Sequence, residues 1–206
     1  MQSLALHYDN LLKGSFELKP LNFLFVFQVN CPGCFLYGFP IVNELFKTFE
    51  KDISFLGLST AFEDFDKNTI DNTKFLIEEE KIIGETKKAF QQHGYDTYPF
   101  PIDFPIAMDS VLKDDDDIQK AITHICKINP NYNSFSESEK HQFEIHIKSH
   151  LSHLDNVSMT FTLNQLRGTP SFIVFDDNHK ILYHKFGHIP LEEINLQLDA
   201  ILKSLS

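Results

Sequence analysis

The chain contains no tryptophan, only three cysteines, and a single arginine, Arg167, among its 18 basic residues. Three cysteines in 206 residues are too few for a scaffold held together by several disulfides. The net charge of −11, with one arginine, argues against binding to the phosphate backbone of nucleic acids. The longest apolar run, Leu21–Val29, is interrupted by Asn22 and Gln28 and is far shorter than the ~20 residues of a membrane-spanning helix. The sequence therefore predicts neither a nucleic-acid partner nor a membrane span.

The rest of the composition is typical of a globular protein. Apolar residues make up 42% of the chain, and its length fits one domain over residues 1–206. The N-terminus lacks the basic start and apolar stretch of a secretion signal. The sequence as written thus predicts a cytoplasmic protein, although a periplasmic protein whose signal peptide had been removed would show the same pattern.

The first half of the chain predicts a strand–helix–strand unit. Leu21–Val29 has the continuous apolar pattern of a strand buried on both faces. Apolar residues at spacings of three and four predict a helix over residues 36–49, which Pro40 should kink. Ile53–Ser59 follows as a second strand, so the two strands should be parallel. Residues 1–20 are interpreted as a short lead-in that ends at Lys19-Pro20.

The second half of the chain predicts a long interruption of the α/β pattern. Residues 110–160 contain two predicted helices, and the pattern then returns with a β-hairpin and a C-terminal helix. The predicted elements after residue 60 are helices over 71–81, 85–93, 115–128, 136–154 and from 191 onwards, with strands over 106–108, 171–175 and 180–186. We therefore expect one α/β domain with a helical insertion at 110–160.

The most informative motif is Cys31-Pro32-Gly33-Cys34, which follows the buried strand and opens a helix, as in a redox-active dithiol. Pro32 suits the first helical position and keeps Cys31 outside the helix, at the N-cap. Free backbone N–H groups and the helix dipole should then lower the pKa of the Cys31 thiol below its usual ~8.5. This predicts that Cys31 is the nucleophile and that the shielded Cys34 is the resolving thiol. Half of a zinc site completed by Cys126, or two inert core cysteines, are the alternatives.

A second motif, Gly168-Thr169-Pro170-Ser171-Phe172, directly precedes a predicted strand. With both motifs, the chain resembles the thioredoxin superfamily, in particular the TlpA/ResA-like redoxins. The resemblance implies a thioredoxin-like α/β fold, a central mixed sheet flanked by helices, with the helical insertion before the cis-proline strand. It also implies a cis peptide bond between Thr169 and Pro170. Thr169, Pro170, Pro32 and Gly33 are then expected to form the substrate-binding surface, with the Thr169 backbone docking an extended chain.

The chain departs from the family pattern at several positions near the cysteines. Asn30 replaces the usual tryptophan, and Phe25 stands where the family has a buried acid, leaving Gln28 and Glu44 as the nearest polar groups. Pro40 follows Cys34 by six positions rather than five. These departures weigh against an efficient general reductase and leave thiol–disulfide exchange as the predicted reaction class.

We therefore expect an enzyme without metal or cofactor that exchanges its Cys31–Cys34 pair with protein or small-molecule disulfides through a mixed disulfide, and that is served by an upstream redox partner. One alternative is peroxide reduction, which is weakened because Gln28 stands where peroxiredoxins carry a threonine. The other is a redox-silent, thioredoxin-like binding module whose insertion contacts a partner.

Three other groups of residues have structural explanations. His146, His150 and His153 share one face of a predicted helix and could hold a metal, but they border its apolar stripe and fit a solvated flank better. The acidic run Asp114–Asp117 suits a helix N-terminus rather than a calcium loop. Cys126 lies on an apolar helix face and is expected to be a buried structural thiol.

Overall fold

The structure, a computed structural model, describes residues 3–154 and 156–205. The described residues form one six-stranded sheet and seven α-helices. The strands are β1 (Tyr8–Lys13), β2 (Leu21–Phe27), β3 (Ser54–Ser59), β4 (Ile106–Asp109), β5 (Ser171–Asp176) and β6 (Ile181–Phe186). The helices are α1 (Phe39–Phe49), α2 (Ile70–Glu79), α3 (Gly84–Gln91), α4 (Asp115–Ile128), α5 (Glu137–Ser152), α6 (Met159–Leu163) and α7 (Leu191–Leu205).

The sheet is mixed, with strand order β1-β4-β3-β2-β5-β6. β2, β3 and β4 are parallel, so the predicted strand–helix–strand unit is confirmed. β5 lies antiparallel to β2, with Val26 opposite Ser171, and β1 lies antiparallel to β4. The start of β5 and the ends of β2, β3 and β4 therefore meet at one edge of the sheet.

No strand was predicted in the lead-in over residues 1–20, but Tyr8–Lys13 forms the edge strand β1. Its pairing with β4 shifts register twice, and the segment has no clean alternation of apolar and polar residues. An edge strand pairs with a neighbour on one side only, so its sequence shows the pattern of a strand less clearly than that of an inner strand does.

All seven residues of β2 are buried, as its continuous apolar pattern predicts. Phe23, Phe25 and Phe27 face one cluster, which includes the buried side chains of α1 and α7. Leu24 and Val26 face a second cluster on the other side of the sheet. This two-sided burial makes β2 an inner strand of the sheet, and the cysteine motif follows its carboxyl end.

The helix that follows the cysteines accommodates Pro40 through one wide turn. It begins at Pro32, widens to a π turn over Cys34–Gly38 and continues as α1. The N–H of Phe39 donates to the carbonyl of Cys34, five residues earlier. Pro40 thereby falls in the first turn of α1, where its missing N–H costs little.

The residues from 110 to 160, here called the helical segment, have a hydrophobic cluster of their own. It is built mainly from aliphatic side chains of α4, α5 and α6, among them Ile122, Ile147 and Leu151. The two ends of the segment lie side by side, since the N–H of Met159 donates to the carbonyl of Ser110 at 2.7 Å. Asp114 caps α4 by accepting from the N–H of Asp117, as the acidic run predicts. α6 was not predicted.

No helix in the described part of the chain is both long and apolar enough to cross a bilayer.

Candidate active site

Cys31 and Cys34 are joined as a disulfide, with their Cα atoms 5.4 Å apart. The motif lies at the sheet edge where β2 ends. Cys34 is fully buried beneath the first helical turn, whereas Cys31 is partly exposed. A molecule arriving from solvent therefore reaches Cys31 Sγ first.

The Cys31 sulfur occupies the N-cap position expected from the sequence. Cys31 directly precedes Pro32, the first helical residue, and the N–H of Cys34 points to Cys31 Sγ at 3.2 Å. The same N–H also approaches the carbonyl of Cys31 at 3.0 Å. When the pair is reduced, this donor and the positive end of the helix favour negative charge on Cys31 Sγ.

The loop before β5 returns against the cysteines. The peptide bond between Thr169 and Pro170 is cis, and the carbonyl oxygen of Thr169 lies 3.6 Å from Cys31 Sγ. Pro170 is buried against the motif helix, since a Cβ added at Gly33 would lie 3.8 Å from its ring. Pro32 and Gly33 are partly exposed in the turn between the cysteines. The structure thus brings together all six residues singled out from the sequence.

Beneath this loop lies Gln28, which is almost fully buried. The Thr169 hydroxyl donates to Gln28 Oε1 at 3.4 Å, and Gln28 Nε2 donates to the carbonyl of Glu63 at 3.3 Å. Glu44, the other polar group expected near the site, is instead exposed on α1 and pairs with Lys47. Of these two polar side chains, Gln28 contacts the cis-proline loop and Glu44 does not.

Position 25 holds an aromatic ring in place of an acid. Phe25 packs against Phe27, Phe39, Phe104 and Phe172 with ring centroids 5.2–6.2 Å apart. This side chain transfers no protons, so the buried acid that the resemblance implies has no counterpart at this position. The ring instead supports the floor of the site.

Asn30, immediately before Cys31, is tied down by three hydrogen bonds. Its N–H donates to Asn68 Oδ1 at 3.0 Å, and its Nδ2 donates to Asp64 Oδ2 at 2.7 Å. Its Oδ1 accepts from the N–H of Glu85, in the first turn of α3, at 2.7 Å. Sequence reasoning noted only that this position is not tryptophan and missed the role, because every partner is at least 34 residues away.

A buried carboxylate lies farther along the same sheet edge. Asp109 ends β4 and accepts from the Thr60 hydroxyl at 2.9 Å and from the N–H groups of Thr160 and Phe161 at 2.8 and 3.1 Å. These bonds favour the charged form, but burial outweighs them and raises the pKa of Asp109 to about 7. The residue joins the sheet to the C-terminal end of the helical segment.

Within residues 3–154 and 156–205, no three His, Cys, Asp or Glu side chains are grouped so that they could hold a metal ion. His146, His150 and His153 are all exposed. Cys126 is a free, buried thiol in the cluster of the helical segment, and burial raises its pKa.

This architecture is the thioredoxin-like fold. No protein-family model matches the chain, and no curated protein matches its sequence significantly. Among solved structures, a thiol-disulfide isomerase from Corynebacterium glutamicum matches with a TM-score of 0.59 at 19% identity, over 97% of this chain and 94% of that one. A thioredoxin-like superfamily protein matches with 0.56 at 18% identity, over 98% and 97% of the two chains. A thioredoxin-like protein in its oxidised form matches with 0.52 at 10% identity, over 98% and 95%.

Proposed function

We propose that the protein is a thiol–disulfide oxidoreductase that exchanges its Cys31–Cys34 pair with disulfides or dithiols of polypeptides and small molecules. The observation that carries the proposal is the pairing of a partly exposed sulfur with a fully buried one at a helix N-terminus. The exposed sulfur can meet a substrate, and the buried one is placed to close the disulfide again. The fold shared with a protein described as a thiol-disulfide isomerase supports the same reaction class.

In the reducing direction, the thiolate of Cys31 attacks one sulfur of a substrate disulfide. A bond forms between Cys31 Sγ and that sulfur, and the other substrate sulfur leaves as a thiolate and takes a proton from solvent. Cys34 then loses its proton, and its sulfur attacks Cys31 Sγ and expels the second substrate thiolate. The substrate gains two electrons and the cysteine pair loses two. The oxidising direction is the reverse of these steps.

The N–H of Cys34 assists the reaction in both directions. It stabilises the charge on Cys31 Sγ before attack, and in the reverse direction it stabilises the same sulfur as the leaving group. We assign substrate binding to Thr169 and Pro170, with Pro32 and Gly33 as the opposite wall. An extended substrate lying along the backbone of Thr169 would pass over Cys31 Sγ, which is 3.6 Å from that carbonyl.

Two further points belong to this proposal. Each exchange leaves the cysteine pair in the opposite redox state, so an upstream partner must restore it, and the compartment sets the direction of electron flow. We also infer that residues 1–206 form one domain in which 110–160 is an insertion. The hydrogen bond between the two ends of the helical segment supports that inference.

The proposal is tested by titrating the protein against glutathione redox buffers and counting free thiols. We expect one reversible two-electron couple that Cys31→Ser and Cys34→Ser each abolish and that Cys126→Ser leaves unchanged. Cys34→Ser should also accumulate mixed disulfides through Cys31 when offered a disulfide substrate. A pair that stays oxidised or reduced across the whole range would instead identify a redox-silent binding module.

A further inference from the structure

A groove with a volume of about 540 Å³ lies beside α5 of the helical segment, next to the sheet edge that carries the cysteines. This volume falls within the range of pockets that bind organic ligands. One wall is α5 and the turn after it, and the other is formed by α6 with the two residues Ala61 and Phe62. Because Ala61 and Phe62 follow the end of β3, the groove opens at the same edge as Cys31.

The groove walls are largely apolar. Phe62 and Phe161 stack face to face, with ring centroids 4.1 Å apart and planes inclined by 7°. Ile147 and Leu151 face them from α5, and Leu154 at the rim is 39% exposed. A contiguous apolar surface that is left open in this way is typical of a binding site.

One polar group in the groove lacks a partner. Asn156 lines it, and the side-chain oxygen of Asn156 is buried without a hydrogen-bond partner among the described residues. An unsatisfied acceptor is costly, and turning this side chain towards an occupant that supplies an N–H would relieve the cost. A peptide backbone supplies both such a donor and apolar side chains, whereas a hydrocarbon chain supplies no donor.

The groove also lies close to the cysteine site. Gln165 lines the groove and lies four residues before Thr169, so their Cα atoms are at most ~14 Å apart. Phe62 adjoins Glu63, whose carbonyl accepts from Gln28 beneath the cis-proline loop. A polypeptide bound along Thr169 therefore reaches the groove within about four to six residues.

We propose that this groove binds an extended apolar stretch of a polypeptide substrate, about four to six residues away from the cysteine that is exchanged. The inference rests on the proposed function, because it takes Cys31 as the point of attack. It makes the helical segment a determinant of substrate choice: polypeptides with aromatic or branched aliphatic side chains at that distance are preferred over polar ones. Small disulfides are too short to use the groove.

Binding is tested apart from chemistry with fluorescein-labelled 14-residue peptides that carry serine in place of cysteine at the centre. One peptide has phenylalanine and leucine four to six residues from the centre on both sides, and the other has serine and threonine there. We expect fluorescence anisotropy to give at least tenfold tighter binding of the apolar peptide to the wild-type protein.

Two substitutions of exposed apolar residues, one within α5 and one just after it, provide a matched pair. Leu154→Asn changes a groove residue and should reduce the tenfold preference to threefold or less. Ile145→Asn changes an equally apolar residue of α5, 53% exposed and outside the groove, and should retain the preference. Asn156→Ala removes the unpartnered oxygen, so it should weaken peptide binding several-fold while the melting temperature stays constant or rises.

Exchange is then measured as kcat/KM with the same peptides carrying a central cysteine as a mixed disulfide with glutathione, and with glutathione disulfide alone. The groove variants should lower kcat/KM for the apolar peptide only. Equal binding of both peptides by the wild-type protein, or an equal loss in Ile145→Asn, overturns the groove proposal. Tight binding of the apolar peptide without any exchange, even of glutathione disulfide, would overturn the proposed function and leave the groove as a peptide site.

Discussion

The core around the cysteines is mainly aromatic, whereas the hydrophobic cluster of the helical segment is mainly aliphatic. Around Cys34 the core consists of closely packed aromatic rings, and Phe25, Phe39 and Phe172 are all but fully buried. The helical segment is held by an aliphatic cluster, and its surface exposes Ile145 and Leu154. Thiol exchange needs sulfur atoms held in one geometry, whereas recognition needs accessible surface. The difference supports the proposed division of these two tasks between two regions.

The strongest test of this separation is made at Asp109, where the two regions meet. The pKa of this carboxyl is raised from its ordinary value near 3.8 to about 7, so between these values the folded protein holds a proton that the unfolded chain has lost. Its contribution to the free energy of unfolding is therefore greatest below pH 4 and falls as the pH rises towards 7. At about 1.4 kcal/mol per pKa unit, the loss over the window is a few kcal/mol.

Asp109→Asn should remove this dependence, measured as urea unfolding followed by circular dichroism at intervals from pH 4 to 8. Asp66→Asn, in which an exposed carboxyl is changed, should keep the wild-type profile. Parallel profiles for wild type and Asp109→Asn would mean that Asp109 is charged throughout and that the joint between the regions is insensitive to pH.

A smaller effect is expected within the core, from the two glycines that face Pro170. A Cβ at Gly38 would lie 2.7 Å from the Phe25 ring, which its aromatic neighbours hold in place. Gly38→Ala should therefore destabilise the protein by about 1–3 kcal/mol. Gly33→Ala meets nothing closer than 3.8 Å and has helical backbone angles, so it should be neutral or stabilise by about 0.4–1 kcal/mol. Similar losses in both variants would show that the core is less tightly packed than the structure indicates.

The smallest effect is expected on the chemistry when the helical segment is removed. Replacing residues 113–156 by a short Gly/Ser linker should shift the reduction potential of the Cys31–Cys34 pair by less than about 30 mV, or about 1.4 kcal/mol. The reason is that the hydrogen-bonding partners of Cys31 Sγ and the cluster that surrounds Cys34 lie outside the segment. Equilibration with glutathione gives the potential, and a larger shift would mean that the two regions are not separable.

Sequence reasoning anticipated the features that are determined by residues close together in the chain. The burial of β2 and the N-cap position of Cys31 follow from neighbouring residues, and both are found. The sequence also shows the extra position between Cys34 and Pro40, but it does not show that this position is taken up by a π turn. In that turn Gly38 packs under the Phe25 ring of β2, a contact between residues that are distant in sequence.

Other features depend on residues that are distant in sequence. The roles of Asn30 and Asp109 were missed because their bonding partners lie 34–55 and 49–52 residues away. α6 is only five residues long, too short to show a helical period. The groove likewise combines walls from three stretches of chain and has no signature in any one of them.

The hydrogen bond that joins Met159 to Ser110 also has a consequence for how such proteins can diversify. The segment between Ser110 and Met159 starts and ends at two adjacent points, so we expect that it can be exchanged without altering the register of β4 or β5. A different segment with similarly spaced ends could be spliced onto the same catalytic core. Under the groove proposal, substrate choice would be a separable module, and hybrids made at Ser110 and Met159 would test whether it can be transferred.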